Sequence, residues 1–263
     1  MKLSITMPYY NRKKLLYNML HSYRKSSLIN DCEFIIVDDA SDDSENIYDI
    51  YDIFPDLDIK AFKYTKEEKW WKCPVIPINR SINESSGDII ILTGSDIFPM
   101  CDIPLHVSEQ ISKNSYLVYG TYALNDRQTN DLHKQFNIRY DYADINIQKS
   151  FMEFNGDSGW VQHSFYRNAC YNFCTAIMRE DLIKLGGFNE EFSHGIAWGD
   201  LDFILKVRKN NMNIKVFDEQ YCYHQYHYNI PYLNTELSQK NRNLIFKIWD
   251  KEFTAIPYLP DRI

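Results

Sequence analysis

No stretch of the 263 residues is apolar enough to enter a bilayer. A run of 18 apolar residues is missing, and MKLSITMPYY moves directly into a strand pattern without the apolar core of a secretory leader. The expectation is a chain without signal peptide or transmembrane helix that works in the cytoplasm, at most peripheral to a membrane. The six cysteines (Cys32, Cys73, Cys101, Cys170, Cys174 and Cys222) form no CxxC pair. Free buried thiols in a reducing compartment are therefore expected, and a zinc site is not. Neither GxGxxG nor GxxxxGK[ST] occurs, which disfavours dinucleotide and P-loop sites. Basic residues are outnumbered, 29 Lys plus Arg against 36 Asp plus Glu, for a net charge of −7. That balance argues against gripping nucleic acid or anionic membrane and suits an acidic site holding a divalent cation. Internal repeats, low-complexity blocks and linker-like segments are missing too.

What is present is a core-forming chain, 44% hydrophobic, of a length that fits one large α/β domain or two small ones. Residues 2–7 (KLSITM) read as a buried first strand closed by Pro8. Asn11 is placed to cap an amphipathic helix over 12–25, whose Leu15, Leu16, Met19 and Leu20 share one face. The run EFIIV at 33–37 is apolar throughout, as in a central parallel strand covered on both faces. A helix is expected over 44–54, a weaker strand over 59–63, a helix over 77–86 and a buried strand, DIIIL, over 88–92. Successive β–α units of this kind specify an α/β class with a doubly wound, mostly parallel sheet and function at the carboxyl ends of its strands. Beyond Pro104 the pattern loosens. Strands are expected over 116–124, 172–178, 214–217 and 220–223, helices over 179–185, 199–210 and 234–251, and a polar, irregular loop or subdomain over 125–155.

Three strand ends carry polar clusters: Pro8-Tyr9-Tyr10-Asn11, Asp38-Asp39-Ala40-Ser41 and Gly94-Ser95-Asp96. Small and acidic residues commonly end strands, so each alone is weak. Together they set an aromatic ring and carboxylates along one sheet edge, where nucleotides bind. Without a Gly-rich loop a pyrophosphate there needs another clamp, and a divalent cation held by carboxylate and imidazole is the obvious one. His224 and His227, at i and i+3 just past a strand, can converge on one ion if the chain turns there. Either one, beside Tyr223 and Tyr226, reads equally well as a hydrogen-bonded packing residue. The stretch 185–203, LGGFNEEFSHGIAWGDLDF, ends one helix at Gly186-Gly187, turns at Gly195 and opens the next helix with Asp200 and Asp202. Carboxylates are favoured at a helix N-terminus, which is the ordinary account of Asp200. The sharper account is that Trp198, a flexible turn and a fixed carboxylate make a floor and a base for a polar acceptor.

In the order PYYNR, FIIVDDASDDS, Asn79 leading into SSGDIII, GSDIFP and GGFNEEF…WGDLDF, the chain resembles the inverting glycosyltransferases of the GT-A fold, the large family-two kind. The likeness covers residues 3–228. Lys69-Trp70-Trp71, GWVQHSFY, YNFCTAIMRE and HQYHY look like a subgroup found in capsule clusters and large viruses. The resemblance implies one GT-A domain, with a nucleotide-sugar-binding half over 1–100, an acceptor-binding and catalytic half over 101–233, and a C-terminal helix and tail over 234–263. It implies that Pro8, Tyr10, Asp39 and Asn79 hold the nucleotide, Tyr10 stacking on the base and Asp39 accepting from a ring N–H of a uracil-type edge, while Asp38 braces the loop or the ribose. Asp96 matches the last acid of the family's DxD motif and would ligate Mn²⁺ or Mg²⁺ on the diphosphate, with His227 and His224 as further ligands.

Asp200 matches the catalytic carboxylate, the second acid of the family's ED pair, and would take the proton from an acceptor hydroxyl. Asp202 is a lower-ranked substitute; Trp198, beside the base, reads as a stacking surface for the acceptor sugar or as a half-buried structural residue, and His163, in a Gln-His-Ser turn, as a weaker candidate for contact with acceptor or phosphate. Two departures stand out: Gly94 at the first acidic place of DxD, and Gly199 at the first of ED. The implied activity is metal-assisted transfer of a sugar from a nucleoside-diphosphate donor, a UDP-sugar for choice, to a hydroxyl of a glycan or glycolipid in polysaccharide biosynthesis. Nucleic acid is not an expected partner. The rivals are a nucleotide-sugar- or glycan-binding protein without turnover, raised by the two glycines, and a nucleotidyltransferase, disfavoured because no Gly/Lys/Arg-rich phosphate loop follows the first strand.

Overall fold

Strands covered on both faces must be apolar on both faces, and β-branched residues suit them. Phe34-Ile35-Ile36-Val37 and Ile89-Ile90-Ile91-Leu92 meet both conditions and are fully or almost fully buried. The computed structural model describes residues 1–135, 162–165, 167–227 and 235–249. Within them the chain runs β1 (Leu3–Tyr9), α1 (Lys13–Tyr23), β2 (Cys32–Asp38), α2 (Ile50–Ile53), β3 (Asp58–Lys63), α3 (Val75–Glu84), β4 (Ile89–Thr93), β5 (Ile97–Pro99) and α4 (Ile103–Gln110). It continues through β6 (Ser115–Ala123), α5 (Asp126–Gln135), β7 (Cys174–Met178), α6 (Arg179–Leu185), α7 (Gly199–Lys209), β8 (Asn213–His224) and α8 (Glu236–Trp249).

One eight-stranded sheet results, in the order β3-β2-β1-β4-β7-β6-β8-β5. The first four strands pair in parallel. Then β7 enters antiparallel between β4 and β6, β8 runs parallel to β6, and β5 closes the far side antiparallel to β8. The carboxyl ends of β1, β2, β4, β6 and β8 and the amino ends of β7 and β5 thus share one edge. Side-chain alternation sends successive residues of each strand to opposite layers. Leu3, Ile5, Met7, Ile89 and Ile91 meet Leu16, Met19 and Leu20 of α1. Ile90 and Leu92 face the other way, in a core with Val75 of α3, Phe203 and Leu205 of α7, and Ile245 and Trp249 of α8. Burying each such side chain contributes about 2 kcal/mol.

Several expectations need correction. Asn11 does not cap α1: it takes a left-handed backbone with φ of 49°, and its side chain exchanges hydrogen bonds with Asp42. The helix expected over 44–54 shrinks to a 3-10 turn at Asp43–Glu45 and the single turn α2. The two short strands expected over 214–223 are one strand, β8, with a register shift opposite Tyr119 and Gly120. The polar stretch after residue 125 opens with α5, while 136–161 and the tail beyond 249 lie outside the described residues. No helix among the described residues is long and apolar enough to cross a membrane, and all six cysteines are free.

The opposite sheet edge carries a buried carboxylate, Glu33. It accepts from the Ser4 and Ser86 hydroxyls and the Gly87 amide, and it pairs with Lys2 at 2.9 Å and Lys60 at 2.7 Å. Burial pushes this carboxyl upward, but Lys60, Ser4, Ser86 and Lys2 outweigh that and hold it well below the usual carboxylate range. A depressed pKa means that its stabilisation is complete above the unfolded value near ~4.3 and is lost as pH falls below it. Glu33→Ala leaves buried donors unpaired and is expected to cost roughly 3 kcal/mol in urea unfolding at neutral pH. The penalty should fade towards pH 2, and a variant as stable as the parent at pH 7 would contradict this account.

Candidate active site

Proximity at the shared edge follows from strand order, because β2, β1 and β4 are neighbours. The loop after β1 carries Tyr10, Asn11 and Arg12; the loop after β2 carries Asp39; the turn after β4 carries Asp96. Asn11 and Ala40 both hold positive φ, 49° and 62°, a strained arrangement of the kind that clusters at functional sites. Their loops are laced together by Asn11 N–H donating to Ser41 Oγ and Asp39 N–H donating to the Tyr9 carbonyl. Asp38 braces its own loop by accepting from the Ser41 amide at 2.8 Å.

At the metal-type end, Asp96 Oδ2 lies 3.0 Å from His227 Nε2, 3.7 Å from His224 Nε2 and 2.5 Å from Arg12 Nη1. One ligating atom from each of Asp96, His224 and His227 falls within a 4.8 Å span. Two imidazoles and a carboxylate are a donor set that suits a divalent transition ion. The histidines reach it because Gln225 between them faces inward. Its side chain donates to the carbonyls of Asp96 and Leu15 and accepts from Asn18, and its N–H donates to the Asp96 carbonyl. Tyr226 N–H is held by Thr129 of α5. Burial pushes the Asp96 carboxyl up, yet Arg12, His224 and His227 outweigh it and hold the group well below the carboxylate range. Burial pushes His224 down to about 4, against the pull of Asp96, so its nitrogen lone pair stays available well into acid.

At the β1 and β2 loops, Tyr10 is 47% exposed, with Lys69 Nζ 4.0 Å from its ring centre. Asp39 accepts from Trp71 Nε1 at 2.7 Å and pairs with Lys69 at 3.0 Å, and burial raises its pKa against both. Pro8 sits within β1 opposite Val37. Asn79 is placed elsewhere. Its amide donates to the Phe188 carbonyl and to Glu190 and accepts from Phe188 N–H, so it clamps the turn after α6.

The helix α7 runs back from the site edge to the start of β8, about 16 Å at 1.5 Å per residue, which sets Asp200 in its first turn at that edge. Asp200 keeps a solvent-facing side, accepts from the Leu201 amide at 2.9 Å, and is raised by burial against that bond and the charge of Arg167. Cys73, just before α3, links the two halves: burial pushes its thiol up to about 12, with the charges of Asp200 and Asp39 adding. Ala197 and Trp198 ahead of Asp200 are both left-handed. This strain is held by Asn241 of α8, which donates to the carbonyls of Phe192 and Ala197.

Trp198 and Asp202 both pack towards α8. Trp198 is 8% exposed with its indole N–H towards Ser238, and Asp202 is buried, accepting from Trp249 at 2.8 Å and facing Lys206. A helix turns by about 100° per residue, so two positions on from Asp200 the side chain points into the α8 interface. His163 accepts from Phe165 N–H and lies 3.7 Å from Asp218, against β8. The sequence reading missed Arg12, Gln225 and Asn241, and for Lys69 and Trp71 it noted the motif without the contact to Asp39.

Both departures from the acidic pattern stand at crowded positions. A Cβ on Gly94 would stand 2.5 Å from Asp96 Oδ1, and one on Gly199 would stand 2.7 Å from Val75 Cγ1. A side chain at either place requires that neighbour to shift.

A doubly wound sheet with nucleotide-type loops at one edge and a carboxylate–imidazole cluster beside them defines the GT-A class of glycosyltransferase fold. The family model described as glycosyltransferase like family 2 matches residues 4–249, and the chain belongs to that family. Among solved structures the fold is similar to Staphylococcus aureus TarS 1–349 in complex with UDP-GlcNAc, with a TM-score of 0.66 and 18% identity over 96% of this chain and 68% of that one. It is also similar to the mannosyltransferase PcManGT from Pyrobaculum calidifontis in complex with GDP-Man and Mn²⁺ (0.57, 16%, covering 88% and 58%). GalNAc-T7 with UDP, GalNAc and Mn²⁺ gives 0.62 and 13%, covering 98% and 53%. The chain thus spans between about half and two thirds of those chains, and at these identities the likeness is one of fold. Comparison with curated proteins returns no match.

Gly94→Asp, which restores the family's first acid, sets a second carboxylate against that of Asp96 and is expected to lower stability in urea unfolding by about 1–3 kcal/mol. A variant as stable as the parent would count against the crowding seen at Asp96.

Proposed function

We propose that the protein is a metal-dependent inverting glycosyltransferase that moves a sugar from a UDP-sugar to a hydroxyl of a glycan or glycolipid. The observation that carries this reading is the convergence of Asp96, His224 and His227 at the edge that also bears Tyr10 and Asp39. In this reading residues 1–100 supply the donor half and 101–233 the catalytic and acceptor half. Tyr10 offers an exposed ring for the base, and Asp39, with lone pairs left beyond Trp71 and Lys69, accepts the uracil N–H. Imidazole nitrogen favours Mn²⁺ over Mg²⁺, which prefers oxygen ligands. Asp96, His224 and His227 would hold the ion, and its positive charge, when bound, neutralises charge developing on the departing diphosphate.

Asp200 serves as the base. The acceptor oxygen attacks the anomeric carbon as the bond from that carbon to the diphosphate oxygen breaks on the opposite face, and the hydroxyl proton passes to the Asp200 carboxylate. A single displacement inverts the configuration. Raised pKa suits the task, because a more basic carboxylate takes the proton more readily.

Incubation with UDP-sugars and Mn²⁺ should release UDP, and Asp200→Asn should reduce that release by about 10³-fold, within the range that a general base contributes. Undiminished release would remove Asp200 from the mechanism; sugar-nucleotide binding with no release in the parent protein would favour the binding-only alternative. Since the base acts when deprotonated, kcat/KM should fall as pH drops through the raised Asp200 value, above the ordinary aspartate value of ~3.9. A pH profile flat down to pH 4 would contradict the assignment.

A further inference from the structure

A carboxylate as enclosed as Asp96 needs a compensating positive charge, and in this chain that charge is already present. Arg12 Nη1 lies 2.5 Å from Asp96 Oδ2, the same oxygen that faces His227 Nε2 at 3.0 Å and His224 Nε2 at 3.7 Å. We propose that Arg12 is the resident cation of this site: it occupies the position of the divalent ion while the donor is absent, and the ion enters only by displacing it. The inference rests on the reading of Asp96, His224 and His227 as metal ligands.

The two occupants exclude each other for two reasons. A divalent ion on Oδ2 and a guanidinium against the same oxygen would stand a few ångströms apart in a poorly solvated pocket, where like charges repel strongly. The second reason lies on His227. Its Nδ1 is 3.3 Å from Arg12 Nη2, a contact in which Nδ1 accepts, which leaves the ring proton on Nε2 facing Asp96. Ligation through Nε2 reverses the ring: Nδ1 then carries the hydrogen and meets another donor. Arg12 must leave before His227 can bind.

Arg12 is able to leave. Its residue precedes α1, outside the helix, and its side chain is 35% exposed, against 6% for the carboxylate it neutralises. The anion that arrives with the metal, a nucleoside diphosphate, is a natural partner for the released guanidinium, which binds phosphate oxygens through paired N–H groups. Metal and nucleotide would then bind cooperatively, each supplying one half of an exchange of partners. Metal alone would bind weakly, because it must expel Arg12 without offering it a new anion.

The test titrates MnCl₂ into the full chain, with free Mn²⁺ read by electron paramagnetic resonance, in the absence and presence of UDP. The parent protein, Arg12→Gln, Arg12→Lys, Asp96→Asn and His227→Ala are compared. Arg12→Gln is expected to bind Mn²⁺ alone about tenfold or more tightly than the parent, a difference of one decade in Kd, and to lose most of the enhancement that UDP gives the parent. Thermal melting should show Mn²⁺ raising the Tm of Arg12→Gln more than that of the parent, since the empty variant holds an uncompensated buried carboxylate. If Arg12→Gln does not fold, Arg12→Lys decides. The guanidinium sets one nitrogen on Asp96 and another on His227, whereas lysine is shorter and has a single, strongly hydrated nitrogen; it holds the pair less firmly, so an affinity for Mn²⁺ alone above the parent's is expected. Affinity equal to or below the parent's in the variant that folds, with binding abolished by Asp96→Asn, overturns the role of Arg12 and leaves the metal site standing. Mn²⁺ binding indifferent to both Asp96→Asn and His227→Ala removes the metal site itself.

Discussion

Burying the Asp96 carboxylate is the constraint on which the rest of the site depends. A charge taken out of water is tolerated only when opposite charge and hydrogen-bond donors converge on it, and here they arrive from remote parts of the chain. Arg12 comes from the loop after β1, and His224 and His227 come from the end of β8 and the turn beyond it. Parallel pairing of β1 with β4 brings Arg12 within reach, and β8, pairing with β5 directly after Asp96, delivers the histidines. Gln225 then ties this turn to the Asp96 backbone and to α1, so a buried hydrogen-bond network supports the imidazoles in addition to their own contact with the carboxylate.

The same crowding surrounds the two glycines that stand where the family pattern has acids. At Gly94 the missing side chain leaves room for the Asp96 carboxylate, and at Gly199 it leaves room for Val75 at the start of α3. Each glycine therefore belongs to a packed arrangement. At position 199 the bare backbone lies close to the start of α3, with Cys73 near Asp200. In the backbone ahead of Asp200, two successive residues without glycine's freedom take the left-handed conformation. Asn241 and Ser238 of α8 hold that segment, so the last helix of the described chain, far from the nucleotide loops in sequence, helps to aim the carboxylate.

Much of the framework was legible because it depends on local patterns. Apolar runs identified β1, β2 and β4, alternation of burial along α1 followed its Leu15, Leu16, Met19 and Leu20, and α6 began and ended where the sequence placed it. Less legible were elements whose state depends on partners. β5 is three residues long and exists because β8 pairs with it, and the 44–54 segment, helical by pattern, is broken up by its contacts, with Glu45 accepting from Lys13 and the Tyr9 hydroxyl. Motif order singled out Tyr10, Asp39, Asp96 and Asp200, but it could not show that Asn79 is hydrogen-bonded to the turn after α6 or that Trp198 and Asp202 pack towards α8.

By itself the sequence determined the α/β class, the strand ends that carry polar groups and the family to which the chain belongs, because hydrophobic periodicity and motif spacing are local and survive without coordinates. Tertiary structure alone decided which side chains share a site. Arg12 and His227 stand 215 positions apart, and their meeting on one carboxylate oxygen follows from strand order and turn geometry, quantities that no local pattern encodes.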